Sequence, residues 1–180
     1  MRTLQAGELV LEPQTAAHAA EMFPLLADPQ MSRYLDTDPP SNLAWLTTRF
    51  AKLETRLSAD GREHWLNWVI RAPQHGLAGY VQATVYTDGS ADIAYELGRP
   101  FWGRGWASRS TLAMLHELAD TYAVRRAFAT VDARNLRSVH LLERLAFSAS
   151  DPPSHPHYRV ADGDRLFVRE PLFDAPDPVA

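Results

Sequence analysis

The 180-residue chain contains no cysteine. Disulfide bonds, thiolate nucleophiles and Cys-ligated zinc are therefore excluded. A cytoplasmic location fits that composition. No apolar run approaches the roughly 18 residues of a membrane span, and the opening MRTLQAGELVLEP has no apolar core of the signal-peptide kind. A Lys/Arg-rich block is missing too, and the formal charge is −4. A nucleic-acid partner held through phosphate contacts is disfavoured on that ground. A small anionic ligand stays open, because backbone dipoles bind anions without net positive charge.

What is there suits one soluble domain. Apolar residues make up 46% of the chain and charged residues 22%, both ordinary values. A chain of this length buries roughly 70% of its unfolded surface.

Alternation and turn residues predict strands over 8–13, 65–71, 77–86 and 91–97, the last two joined by a hairpin turn at TDGS. Helical spacing predicts helices over 16–26 and 42–57, capped by Thr15 and Ser41. The second carries a stripe of Leu43, Leu46, Phe50, Leu53 and Leu57. Further helices are expected over 106–122 and 136–145, with a strand over 126–132 between them and a closing hairpin of 155–160 and 165–172. The order β-α-α-β-β-β-α-β-α-β-β is a mixed α/β (α+β) single domain. The last residues, 173–180, read as a frayed tail.

Between the strand ending at Leu97 and the helix starting at Trp106 stands FWGRGWA, residues 101–107. The first amides of a helix have no intrahelical partner and face the positive end of its dipole. Gly103 and Gly105 let those amides approach an anion closely, and Arg104 adds a donor fork. A plain connector that uses glycine for positive φ reads equally well from these residues alone. The stretch is not a P-loop: Arg104 and Gly105 stand where Lys and Ser/Thr would follow Gly98–Gly103. It is not a dinucleotide fingerprint either, since Ser108 replaces the third small residue. A nucleotide-phosphate binder is therefore argued against.

ELGRPFWGRGWASRSTLAMLHELA, followed by NLRSVHLLERLAF, resembles the Gcn5-related N-acetyltransferase (GNAT) superfamily, nearest its RimJ/RimL-like ribosomal-protein alanine N-acetyltransferase branch. The resemblance runs over residues 8–172. It implies an N-acetyltransferase that takes acetyl-CoA as cosubstrate, without a metal, and a primary amine as acceptor, either a protein N-terminus or a small molecule. A homodimer stays open. The fold implied is a mostly antiparallel sheet splayed between the strands 91–97 and 126–132. The pyrophosphate would lie over Trp102, Gly103, Arg104, Gly105, Trp106 and Ala107. The pantetheine arm would pair with backbone at Tyr95 and Leu97, as an added strand does. Asn135 would touch that arm, although an Asn there also makes a plain helix cap. The helix tyrosine that many members use as acid is replaced by Leu142, which brings forward Ser138 or a water as donor to the leaving thiolate. Ala146 stands where the family has glycine.

The amine must lose a proton. Asp92, Ala94 and Glu96 share one face of their strand. Glu96 is the first candidate for general base and Asp92 the second, and either could be a solvated strand carboxylate. Tyr34, Asp36 and His157 are the candidate acceptor contacts, with Asp38, His155 and Tyr158 beside them. They read equally as solvated loop residues. A second functional reading is non-catalytic: an acyl-CoA sensor or a protein-interaction module on the same fold.

Overall fold

The computed structural model describes residues 1–34, 37–151 and 155–173. Its sheet starts before residue 8. Strand β1 (Leu4–Ala6) turns through Gly7 and Glu8 into β2 (Leu9–Pro13), with Leu4 opposite Leu11. Gly7 sits at φ +68°, which the two-residue turn requires. The sequence reading had one strand here; the turn residue and three residues of β1 were too short a pattern to separate.

A 3-10 turn (Ala16–His18) leads into α1 (Ala19–Leu26). Helix α2 (Leu43–Leu53) is capped by Asn42, whose side chain accepts from the Trp45 amide at 2.8 Å. Asn42, not the expected Ser41, is the cap, and the helix stops four residues short of Leu57. The apolar stripe narrows accordingly: Leu46 and Phe50 are buried while Leu43 and Leu57 are exposed.

Strands β3 (Glu63–Ala72), β4 (Gly76–Tyr86) and β5 (Ser90–Leu97) form an antiparallel meander. Helix α3 (Trp106–Tyr122), strand β6 (Arg126–Asp132) and helix α4 (Leu136–Arg144) follow. The chain closes with β7 (Ser148–Ser150) and β8 (Asp164–Arg169). The sheet order is β1-β2-β3-β4-β5-β6-β8-β7, and only the β5–β6 pair is parallel. This is the mixed α/β, mostly antiparallel fold expected.

The closing hairpin differs in one member. Residues 155–160 are loop, and β8 pairs instead with the short, mostly exposed Ser148–Ser150. Phe173, expected at the start of the tail, is held: its ring stacks on His116 at 4.1 Å. The rest of the expected tail, 174–180, lies outside the described residues.

Alternation sorts the sheet into two faces. Leu66, Trp68 and Ile70 join Ile93, Leu97, Met114, Leu115, Leu118 and Leu142 on the face covered by α3 and α4. Val69 and Leu77 meet Ala19, Met22, Leu46 and Phe50 on the other, under α1 and α2. The result is a three-layer domain whose strand β5 is reached from both sides.

Candidate active site

Strand β5 pairs with β6 only over Ser90–Asp92 and Arg126–Phe128. After Asp92 no β5 residue pairs with β6, so the edge of β5 toward β6 opens. The Leu97 carbonyl on that edge accepts from the Trp102 indole at 2.7 Å. Strand alternation turns the N–H and C=O of Tyr95 to the same edge as those of Leu97. Of the two backbone positions expected to meet an extended ligand, Tyr95 is open there. Leu97 has already given its carbonyl to Trp102.

The open edge ends at the start of α3. Gly103 and Gly105 have φ of +75° and +72°, and a Cβ built on either would meet nothing within 4 Å. The glycines are thus needed for backbone conformation, and the space above them is free. Gly105 is the N-cap of α3 and provides no side-chain hydrogen bond to the first turn, which holds no acidic residue. The amides there are left for an external acceptor. Glu8 fixes this helix start, accepting from Trp106 Nε1 at 2.9 Å and from Arg109 at 2.5 Å. Trp106 itself is buried against Phe101, with centroids 5.5 Å apart. It can offer a ligand its amide but not its ring. Arg104 is exposed, its guanidinium 5.1 Å from the Trp106 ring centroid. Trp102 is 41% exposed and carries the Arg137 guanidinium over its ring at 4.4 Å. These features fit the diphosphate of coenzyme A: amides without a side-chain cap, no acidic residue on the first turn itself, the neighbouring Glu8 already engaged by Trp106 Nε1 and Arg109, and room where side chains would otherwise stand.

Across the gap, Asn135 caps α4 by accepting from the Ser138 amide at 3.3 Å. The turn before it is pinned by Asp132, which accepts from the Arg134 amide at 2.8 Å. Its neighbouring guanidinium, with that amide, brings the Asp132 carboxyl down to about 2. Leu142 is fully buried in the core. A phenol reaches α4 from the strand instead: Tyr95 Oη donates to the Ser138 carbonyl at 3.2 Å. Burial pushes the Tyr95 hydroxyl up to about 12, so it stays protonated.

On the opposite face, Glu96 stands in the wall of a cavity of about 400 Å³ between β4, β5, α2 and the 37–41 segment. Its partner is Tyr80, directly opposite on β4, whose hydroxyl donates to Glu96 Oε1. Burial raises the Glu96 carboxyl above the usual range, only partly offset by that hydrogen bond and by the charge of Arg49. The Tyr80 phenol is raised as well, by burial first and then by the Glu96 charge. Strand β4 comes unusually close here: a Cβ on Gly79 would stand 2.0 Å from the Glu96 carbonyl oxygen.

Asp92, the second candidate base, does not line this cavity. One carboxylate oxygen accepts from Tyr86 Oη at 2.5 Å and the other lies 2.7 Å from His155 Nε2. His155 Nδ1 accepts from the amides of His157 and Tyr158 at 3.2 and 3.3 Å, so Nε2 carries the proton and donates to Asp92. This network fastens the 155–158 loop to the sheet. His157 belongs to the same network, stacked on Tyr86 at 3.6 Å and 3.0 Å from Ser90 Oγ. It too is away from Glu96. Tyr34 is half-buried on the loop between α1 and α2, with Arg33 over its ring at 5.4 Å. Asp36 lies outside the described residues. Asp38 does line the Glu96 cavity.

Tyr80, Arg49, Trp45 and Gln14 were not singled out in the sequence, yet all four line that cavity. The signal for Tyr80 is the 76–97 hairpin itself: its register sets residue 80 opposite residue 96. Nothing local marks the other three.

The acetyltransferase (GNAT) domain family model matches residues 8–148. A curated relative, the uncharacterized N-acetyltransferase p20 of Bacillus licheniformis, is 24% identical over 149 residues, 82% of this chain and 83% of the relative. Among solved structures, the ribosomal-protein α-N-acetyltransferase RimL in complex with coenzyme A superposes with a TM-score of 0.77 at 18% identity, covering 96% of this chain and all 100% of that one. Spermidine N-acetyltransferase from Vibrio cholerae, in complex with coenzyme A and spermine, gives 0.73 at 17% identity, covering 91% of this chain and 96% of that one. These structural likenesses speak to the fold.

Proposed function

Because the chain belongs to the GNAT acetyltransferase domain family, we propose that it moves an acetyl group from acetyl-CoA to a primary amine by direct transfer in a ternary complex. The observation that carries the reading is the course of β5. The strand leaves β6 after Asp92 and runs open-edged to the uncapped start of α3, with Glu96 on that same stretch facing a cavity from the other side.

Acetyl-CoA would supply the activated thioester. The amides from Gly103 to Ala107, with Arg104 beside them, hold an anionic diphosphate at the helix start. The open backbone at Tyr95 aligns an extended arm along β5. Glu96 anchors the acceptor ammonium and takes its proton, leaving a neutral nitrogen lone pair. A carboxyl raised by burial suits that task better than an ordinary one. Holding the two reactants in line across one strand supplies much of the acceleration. On the α4 side, the Ser138 hydroxyl donates a hydrogen bond to the leaving thiolate, which takes up the second proton that the nitrogen sheds as the amide forms, with the protonated Tyr95 phenol on the same turn.

The reading is tested by calorimetry with coenzyme A and acetyl-CoA on wild type and Gly105→Glu. The glutamate enters free space but takes a left-handed backbone position, a cost of about 1–2 kcal/mol that a domain of this size should survive. Native circular dichroism checks this, and a carboxylate then occupies the anion site. Micromolar binding lost in G105E is expected. No binding by folded wild type, or equal binding by the variant, would overturn it.

A further inference from the structure

The cavity that holds Glu96 carries a second, unspent polar equipment. Gln14 is 4% exposed, and its Nε2 has no hydrogen-bond partner among the described residues. Its backbone is fixed, the amide donating to Asn67 O at 2.9 Å. A buried amide nitrogen with no acceptor is uncommon in a folded protein and points to an absent partner. Arg49, one helical turn beyond Trp45 on α2, lines the same cavity. Among the described residues its guanidinium makes no hydrogen bond and no ion pair; it lies over the Trp45 ring at 5.7 Å. The two carboxylates in the cavity wall, Glu96 and Asp38, both leave it unpaired. Glu96 is bonded to Tyr80 instead, and Asp38 sits exposed on the rim. Yet Arg49 is near enough for its charge to act on both Glu96 and Tyr80.

One cavity thus holds a carboxylate suited to an ammonium and, on other elements of its wall, a guanidinium and an amide nitrogen that have no hydrogen-bond partner among the described residues and suit an oxyanion. A purely cationic acceptor such as a polyamine would meet Arg49 as a like charge. Resting on the N-acetyltransferase reading, we infer that the acceptor is a small amine that also bears a carboxylate. Its nitrogen is held at Glu96, and its carboxylate at Arg49 and Gln14 with Trp45 flanking its apolar part. Arg49 acts here as a specificity-determining residue: its bidentate fork fits a carboxylate and not a second ammonium.

The experiment compares amines with and without the carboxylate, by thiol release from acetyl-CoA. The pairs are L-phenylalanine with 2-phenylethylamine and glycyl-L-leucine with glycyl-L-leucinamide, with spermidine as the cationic comparison. The carboxylate-bearing member of at least one pair should have a kcat/KM higher by about tenfold or more. The pair that shows this tells whether the carboxylate is one carbon from the amine or a residue away. Arg49→Met should bring that ratio to near one, chiefly through KM. Arg49 is exposed on a helix, so the variant is expected to fold; Gln14→Leu provides a second reading wherever its circular dichroism is native. A ratio near one in wild type, a ratio unchanged by R49M, or spermidine as the best acceptor overturns the inference. So does acetyl-CoA binding without transfer to any of the five amines, an outcome that leaves the cofactor site standing. Failure to bind acetyl-CoA would strike the function itself.

Discussion

Replacing Ala146 with glycine should stabilise the protein. Helix α4 ends in a paired hydrogen-bond arrangement: the Phe147 amide donates to Leu142 O and the Ala146 amide to Glu143 O, both at 3.0 Å. This is the Schellman pattern, and it forces the residue between into the left-handed region. Ala146 is there, at φ +60°. Phe147 and Leu142 are both buried in the main core, so the pattern is locked by packing and cannot relax away. An L-residue in that conformation costs about 1–2 kcal/mol. Glycine removes that cost but frees the unfolded chain, which returns about 0.4–1 kcal/mol. Ala146 is exposed, so little contact is lost. The net gain is about 0.5–1 kcal/mol, which for a domain of this size raises Tm by about 1–4 °C. Equilibrium urea unfolding should show a higher midpoint with an unchanged slope. Arg144→Gly, two residues earlier in right-handed helix, is the control and should destabilise by about 1 kcal/mol. An A146G midpoint at or below wild type would refute the reasoning. Ala123, at φ +54° after α3, makes the same test at a distant site, and the two gains should add.

Glu96→Gln should lower kcat of acetyl transfer by about 100-fold or more, while acetyl-CoA affinity, read by calorimetry, holds. The raised carboxyl also has a stability signature. Both states carry the proton below the unfolded carboxyl's pKa, and the folded state resists losing it as pH rises. The cost of the buried charge therefore appears between the unfolded and folded values and is complete above the latter. Denaturant melts of E96Q against wild type should show a relative gain for the variant that grows from pH 4 to pH 8; a gain that shrinks would contradict it. Asp92→Asn should act the other way, costing about 1–3 kcal/mol of stability by breaking its bonds with His155 and Tyr86. If D92N instead kept full stability and abolished turnover, Asp92 would be the base.

The parts of the fold that were legible are those with long periods. Helix α3, with Thr111, Met114, Leu115 and Leu118 buried, repeats its pattern over four turns. The β4–β5 hairpin alternates across its turn, which is why the sequence separates Glu96, on the cavity face, from Ile93 and Leu97 in the core. Short elements gave no such signal. Ser148–Ser150 has no apolar alternation, because it is an edge strand lying mostly in solvent. Residues 155–160 mimic a strand because His155 and Val160 are buried, but the cause is a loop laid over Phe128 and Asp92. At the candidate site, the glycine loop could be read locally because its positive-φ glycines and uncapped amides belong to consecutive residues. The Glu96 cavity could not, since Gln14, Arg49 and Tyr80 meet only after three separate elements have packed.

Gly79 carries a lesson for anyone wishing to retarget this protein. With an oxygen of the neighbouring strand occupying the place where even a methyl would go, no other residue can be accommodated there without shifting the backbone that bears Glu96. Libraries aimed at new acceptors should therefore hold position 79 invariant and put their diversity on the exposed Trp45 and Arg49 of α2 and on residues 37–41. Trp45 and Arg49 are exposed, so their side chains can be exchanged without disturbing the core that Leu46 and Phe50 form against the sheet.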